Sequence, residues 1–334
     1  MRRHAVSTGR PDAMLGVILL LQTLTLAIAG PATSPEYLPL RVAEADGHFV
    51  REGLNVVVRT TRAEPGAAEA LVQGQADLVA TSLEAMLRFG PRSASQAPRL
   101  VFGLSAAPPV ALLVPTSQAE VVKTVTDLPG TRVGLSSPGA PEQAWLGWLL
   151  ARSGLTLAQV WVVSHGSRGL VTAVEGGDVH AGLVPEPFAS RLLNDGRARV
   201  LVDLRTPEAV RQALGGPTVN AAVFVRADRR PRDRDLAAFA RAVLSAEQRL
   251  ATAPPEELVE KLGKRVAGGD DFAARIETTR SMYLAGGLVS VEQVKQTIAL
   301  IRSHQPLPAT SRVPSPDELL HVEPLRRLSA PAAR

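Results

Sequence analysis

Gly53-Leu-Asn-Val-Val-Val-Arg-Thr60 leads into Ala67-Ala-Glu-Ala-Leu-Val-Gln73, which stops at Gly74-Gln-Ala-Asp77 and resumes as the apolar Leu78-Val-Ala-Thr81. The β-branched run reads as a strand, the Ala/Leu/Glu run as a helix, and Gly74 as its stop, so the segment is one strand-helix-strand unit. The same order returns farther along the chain. Gly154-Leu155 precedes the apolar Val160–Val163, Gly169–Glu175 is helical, and Gly177-Asp-Val-His180 turns into Ala181-Gly-Leu-Val184. Repetition of such a unit predicts an α/β protein with largely parallel sheets in two similar lobes.

Working outward, Val101–Ser105 and Ala111–Val114 are apolar strands flanking Ala106-Ala-Pro-Pro109, where the chain is expected to cross between lobes. A second crossing is expected near Asn220–Val225, after the breakers Gly215-Gly216-Pro217. The amphipathic stretches Leu236–Leu262 and Val291–Ile301 then return to the first lobe. Pro306, Pro308, Pro314 and Pro316 mark an irregular tail ahead of a short helix, Asp317–Leu328. The expected division is residues 23–106 with 222–305 as lobe 1, 107–221 as lobe 2, and 306–334 as the tail.

The amino terminus carries two signals. Arg2, Arg3 and Arg10 precede the apolar Met14–Leu21, and Ala27-Ile28-Ala29 has the small-x-small form of an export cleavage site. Thr23–Ala29 also reads as a buried strand ending at Gly30-Pro31, and cleavage after Ala29 would remove it. The strand is the preferred reading, with Met14–Gln22 as the remains of an export signal or a hydrophobic anchor and residues 1–22 as an export signal or a disordered start. A spanning helix fits poorly, because Gln22, Thr23 and Thr25 interrupt a run that needs about 20 apolar residues.

In 334 residues there is room for two cores, and 45% hydrophobic with 21% charged residues is the balance of a folded globular chain. The net charge of +5 raises nucleic acid as a partner. Its distribution speaks against that: only four of the 37 basic residues are Lys, and the cluster Arg226–Arg234 contains its own Asp residues and no aromatic for stacking bases. That cluster reads as a solvated loop. With no cysteine there is no disulfide, thiolate nucleophile or Cys-based metal site, and no lipid tether through an N-terminal Cys. Six scattered histidines give no metal spacing, and no Ser-His-Asp arrangement, phosphate loop or His-Glu-x-x-His helix is present, so neither a cofactor nor a metal is expected.

Pro39-Leu-Arg-Val-Ala-Glu-Ala-Asp-Gly-His-Phe-Val-Arg-Glu-Gly-Leu54 resembles the opening of nitrate, sulfonate, taurine and thiamine-precursor solute-binding proteins. Gly66–Asp77, then Asp127-Leu-Pro-Gly-Thr-Arg-Val-Gly134 with Ser136-Ser-Pro-Gly139, and finally Glu186-Pro-Phe188 continue the match in order, over roughly residues 23 to 305. The resemblance implies a type II periplasmic-binding-protein fold with two hinge crossings, a small solute held between the lobes, an exported monomer, and an ABC permease and ATPase as partners. It departs from the family at Pro185, where an aromatic is common, and at His180, where Asp is common, so ligand identity does not carry over.

Helix starts offer unpaired N–H groups and partial positive charge, which would suit an anionic or polar solute. Three face the expected cleft: Glu64-Pro65-Gly66, Thr81-Ser82, and Ser136-Ser137-Pro138-Gly139. Thr33, Ser34 and Tyr37 follow the first strand, where ligands of open α/β sheets bind. His165 and Glu186 follow later strands, and Ser105 and Asn220 sit at the crossings. Each has an ordinary structural role as well: cap, turn or surface. Trp145 and Trp148 lie within the helix Pro141–Ser153 and read as core. The rivals to a solute receptor are a cleft enzyme of the same fold, for which the missing cysteine removes the Cys-rich motif of the pyrimidine synthases, and a solute sensor.

Overall fold

The computed structural model describes residues 23–136, 141–269, 271–304 and 306–329. The expected alternation of strands and helices forms two five-stranded mixed sheets. In the first, β2 (Asn55–Thr60), β1 (Thr23–Ile28), β3 (Leu78–Ser82), β10 (Ala221–Arg226) and β4 (Pro98–Ser105) lie in that order. β1 pairs in parallel with both β2 and β3, with Thr23 opposite Asn55 and Leu26 opposite Leu78, while β10 runs antiparallel to β3 and β4. The second sheet has the order β7 (Trp161–Ser164), β6 (Arg132–Leu135), β8 (Ala181–Pro185), β5 (Val110–Pro115) and β9 (Ala198–Asp203), with β5 antiparallel to its neighbours. The two sheets are topological copies of each other.

β3, β5 and β10 are buried along their whole length, which is why they read as unbroken apolar runs. The edge strand β7 instead leaves Trp161 70% exposed. In lobe 1 the helix Leu38–Ala45 and the long helix Asp233–Thr252 cover one sheet face, while Glu64–Val72 and Leu83–Phe89 cover the other. The strand reading of residues 23–29 holds, since β1 is the centre of three parallel strands; Met14–Gln22, read as a signal or anchor, lies outside the described residues. No helix among the described residues is long and apolar enough to cross a membrane.

The chain crosses between the sheets at Ala106–Pro109 and again at Gly215–Asn220, slightly ahead of the expected point, because β10 is already paired from Ala221 onward. Other expectations change too. Leu236–Leu262 is two helices, Asp233–Thr252 and Pro255–Ala267, separated where Pro254 has no N–H to continue the first. The Arg226–Arg234 cluster is not all solvated loop: Arg226 is buried and bonds Asp228 at 2.6 Å. The helix Val291–His304 does not belong to lobe 1 alone. Val294, Ile298 and Ile301 enter a lobe 1 core and Leu300 enters the main lobe 2 core. The tail splits into Pro316–Leu319 and Glu323–Ser329 and is anchored, with Leu319, Val322 and Leu325 buried against lobe 1 and Leu320 bridging Leu100.

Candidate functional site

A cleft of about 450 Å³ opens between the lobes beyond the carboxyl ends of β1, β3 and β6. Its floor is tight: at Gly30 a Cβ would lie 2.4 Å from the Thr61 carbonyl oxygen, so only glycine permits the chain leaving β1 to pass the end of β2. Lobe 1 contributes Ser34, Glu36, Arg62, Glu64, Ser82, Glu84 and Phe89, and lobe 2 contributes Ser136, Glu142, Trp145, Pro108, Pro109 and Pro185, with Asn220 at the crossing.

Four carboxylates thus come together from four elements, each in the first turn of its helix: Glu36, Glu64, Glu84 and Glu142. Glu64 is the hub of lobe 1. Its Oε1 accepts from the Tyr37 hydroxyl at 2.5 Å, and its Oε2 accepts from the Thr81 hydroxyl at 2.5 Å and the Ser82 N–H at 2.6 Å. Ser82 in turn caps the next helix, its Oγ accepting from Ala85 N–H at 3.1 Å. Glu84 is buried and ion-paired with Arg88 at 2.5 Å, and burial still raises its carboxyl despite that partner. Glu142 accepts from the Ser136 hydroxyl at 2.8 Å and is raised chiefly by burial. Glu36 stands apart. It is 8% exposed, its Oε2 has no hydrogen-bond partner among the described residues, and burial followed by the nearby Glu64 pushes its carboxyl up to about 8. The turn carrying it is pinned from the far side, where the Tyr283 hydroxyl donates to the Pro35 carbonyl at 2.8 Å.

Ser34, Glu64, Ser82, Ser136 and Asn220 of the sequence candidates line this cleft. Tyr37 and Thr81 sit behind its wall as donors to Glu64. Thr33 packs beside Gly268, and Gly66 lies in the first turn of its helix beside Thr61. Ser105 is a hinge residue whose Oγ accepts from Asn220 Nδ2 and Ala221 N–H, both at 3.3 Å. His165 is exposed and does not line the cleft, although its N–H bonds the Leu135 carbonyl, beside Ser136, at 3.3 Å. Glu186 is sealed into lobe 2, where Oε1 accepts from Arg205 Nη1 at 2.9 Å and from the Ser190 hydroxyl at 2.7 Å. Ser137 and Gly139 lie outside the described residues.

Sequence reading missed Glu36, Glu84 and Glu142, and placed Trp145 only in the core although it both packs there and faces the cleft. A signal for the acids existed: Glu at a helix start supplies its own negative charge, which leaves less of that terminus for an outside anion.

Two mixed sheets of one topology, two crossings and a cleft between them define the two-lobed periplasmic-binding-protein fold. A family model described as NMT1/THI5 like matches residues 34–257, and the chain belongs to that family. No curated protein sequence matches it. Among solved structures it is similar to a protein of Bordetella bronchiseptica RB50, with 24% identity, 91% of this chain and 96% of that one covered, and a TM-score of 0.74. It is also similar to the periplasmic aliphatic sulphonate binding protein SsuA of Escherichia coli (19% identity, 87% and 95% covered, TM-score 0.69). The periplasmic nitrate-binding protein NrtA of Synechocystis PCC 6803 follows, at 15% identity, 93% and 89% covered, and a TM-score of 0.68.

Proposed function

We propose that this chain is the solute-binding component of an ABC importer, an exported monomer without catalytic activity that captures a small organic solute between its lobes and presents it to a membrane permease driven by an ATPase. The observation that carries this reading is the cleft itself. Both lobes line it, and it sits at the two crossings, so a solute touching both walls favours the closed arrangement of a hinge already present in the fold. The hinge is small and well tied: Asn220 N–H donates to the Ser105 carbonyl at 2.9 Å, and the Thr218 hydroxyl to the Ala106 carbonyl at 2.6 Å. Bending there would move the two sheets as units, with the helix Val291–His304, which packs on both lobes, adjusting between them.

A thermal-shift screen of the purified chain against sulfonates, nitrate, carboxylates, amines and heterocycles tests the proposal. One solute class is expected to raise the unfolding midpoint saturably, because a ligand bound only by the folded state stabilises it. X-ray scattering with that solute should show a smaller radius of gyration; tight binding with an unchanged radius would sink the closure step.

A further inference from the structure

We infer that the cleft receives an organic cation, a protonated amine, amidine or guanidinium bearing N–H donors, which docks against the unpartnered carboxyl of Glu36. This rests on the receptor reading above and narrows it.

The polarity of the walls is lopsided. Among the described lining residues Arg62 alone is cationic, and it is exposed at the rim, whereas Glu36, Glu64, Glu84 and Glu142 all face the same space. Each of Glu36, Glu84 and Glu142 is raised in part by the charge of Glu64, so the carboxyls share one potential that opposes a further negative charge and favours a positive one.

Among the described lining residues, few donors are left for an anion beyond the Ser34 hydroxyl. Pro31, Pro65, Pro108, Pro109, Pro141 and Pro185 line the cleft and have no N–H, and Pro65 and Pro141 stand at the very helix starts that would otherwise bind an anion. The Ser82 N–H, the Ser136 hydroxyl and Asn220 Nδ2 already donate within the protein. Acceptors, in contrast, are plentiful, and Glu36 Oε2 is a buried acceptor still waiting for a donor. Phe89 and Trp145 supply faces for an apolar stem or a cation–π contact.

Proton exchange follows from the same geometry. Glu36 is faced by Glu64 and Glu142 from two other helices, by Tyr37 on its own segment and by Tyr283, and no lysine or arginine side chain bonds it among the described residues. With its carboxyl near 8, it is protonated below that pH when no cation is bound, and a cation that docks there displaces the proton.

The test is calorimetric titration with agmatine, spermidine and benzamidine, and with methanesulfonate and nitrate as anionic counterparts, at pH 6.5 and 8.5. At least one cation is expected to bind saturably, more than about tenfold tighter at pH 8.5, as a group titrating near 8 requires. Glu36→Gln should abolish that pH dependence, while Glu120→Gln, an exposed position on lobe 2, should leave it intact. Tighter binding of methanesulfonate or nitrate, or affinity that rises as pH falls, overturns the cation class and leaves the receptor reading standing, since Glu36 would then act as a neutral donor. Binding of none of the five probes also overturns the cation class, and the receptor reading is then decided by the broader solute screen and scattering above.

Discussion

Lobe 1 and lobe 2 share one strand order, yet one buried carboxylate in each, Glu36 and Glu186, is treated in opposite ways. In lobe 2, Glu186 lies against Arg205, which also grips Asp203 through two nitrogens at 3.0 and 2.8 Å, so its charge is neutralised inside the wall. In lobe 1, Glu36 is also buried, and no Lys or Arg side chain bonds it among the described residues. The same fold therefore yields a structural ion pair on one side and an unsatisfied acid facing the cleft on the other. Burial of a charge is tolerated when paired; when unpaired, it persists as a neutral acid or because something else completes it.

The comparison breaks most visibly at Arg205. Arg205→Met leaves Glu186 buried without its counter-ion and should destabilise the chain by about 3 to 5 kcal/mol in chemical denaturation, with the Glu186→Met/Arg205→Met double variant recovering much of the loss. A single variant as stable as the parent would mean that the pair contributes nothing to lobe 2.

A second break is a pH effect led by two unpaired acids. Glu36, and Glu247 on the helix Asp233–Thr252, are both raised from 4.5 to about 8, chiefly by burial. Their folded values lie above the unfolded ones, so the folded chain keeps protons that the unfolded chain has lost over that window. The stability they allow is complete below about pH 4.5 and declines as pH rises to about 8. The unfolding midpoint is therefore expected to fall by several degrees or more between pH 5 and 8.5, and the Glu36→Gln/Glu247→Gln double variant should flatten that decline in a calorimetric scan.

The smallest effect sharpens the picture at Ser82. Ser82→Ala removes the side-chain cap on Ala85 N–H while the Ser82 N–H still reaches Glu64, so about 1 kcal/mol is expected from denaturant midpoints. A larger loss would show that Ser82 also supports the Glu64 hub.

Much of the architecture was legible beforehand. The two repeated units, the crossing at Ala106–Pro109 and β1 at Thr23–Ile28 all announce themselves through local apolar runs and Gly or Pro punctuation. The helix Val291–His304 was harder, because an amphipathic pattern shows which face is buried and not which lobe buries it. Four of the candidate residues, Ser34, Glu64, Ser82 and Ser136, reach the cleft wall for the same local reason, since they lie at or just after strand ends, while Asn220 reaches it from the crossing that leads into β10. Glu186 shares that sequence position and misses the cleft, because Arg205, nineteen residues away, captures it.

By itself the sequence determined the α/β class, the two-lobed repeat and the general position of the cleft, because strand and helix periodicity and turn chemistry act over a few residues. Only the tertiary structure decided the sign of the cleft. Glu36, Glu64, Glu84 and Glu142 read singly as ordinary acids at helix starts, and they become one electrostatic group only when folding brings them around the same cleft.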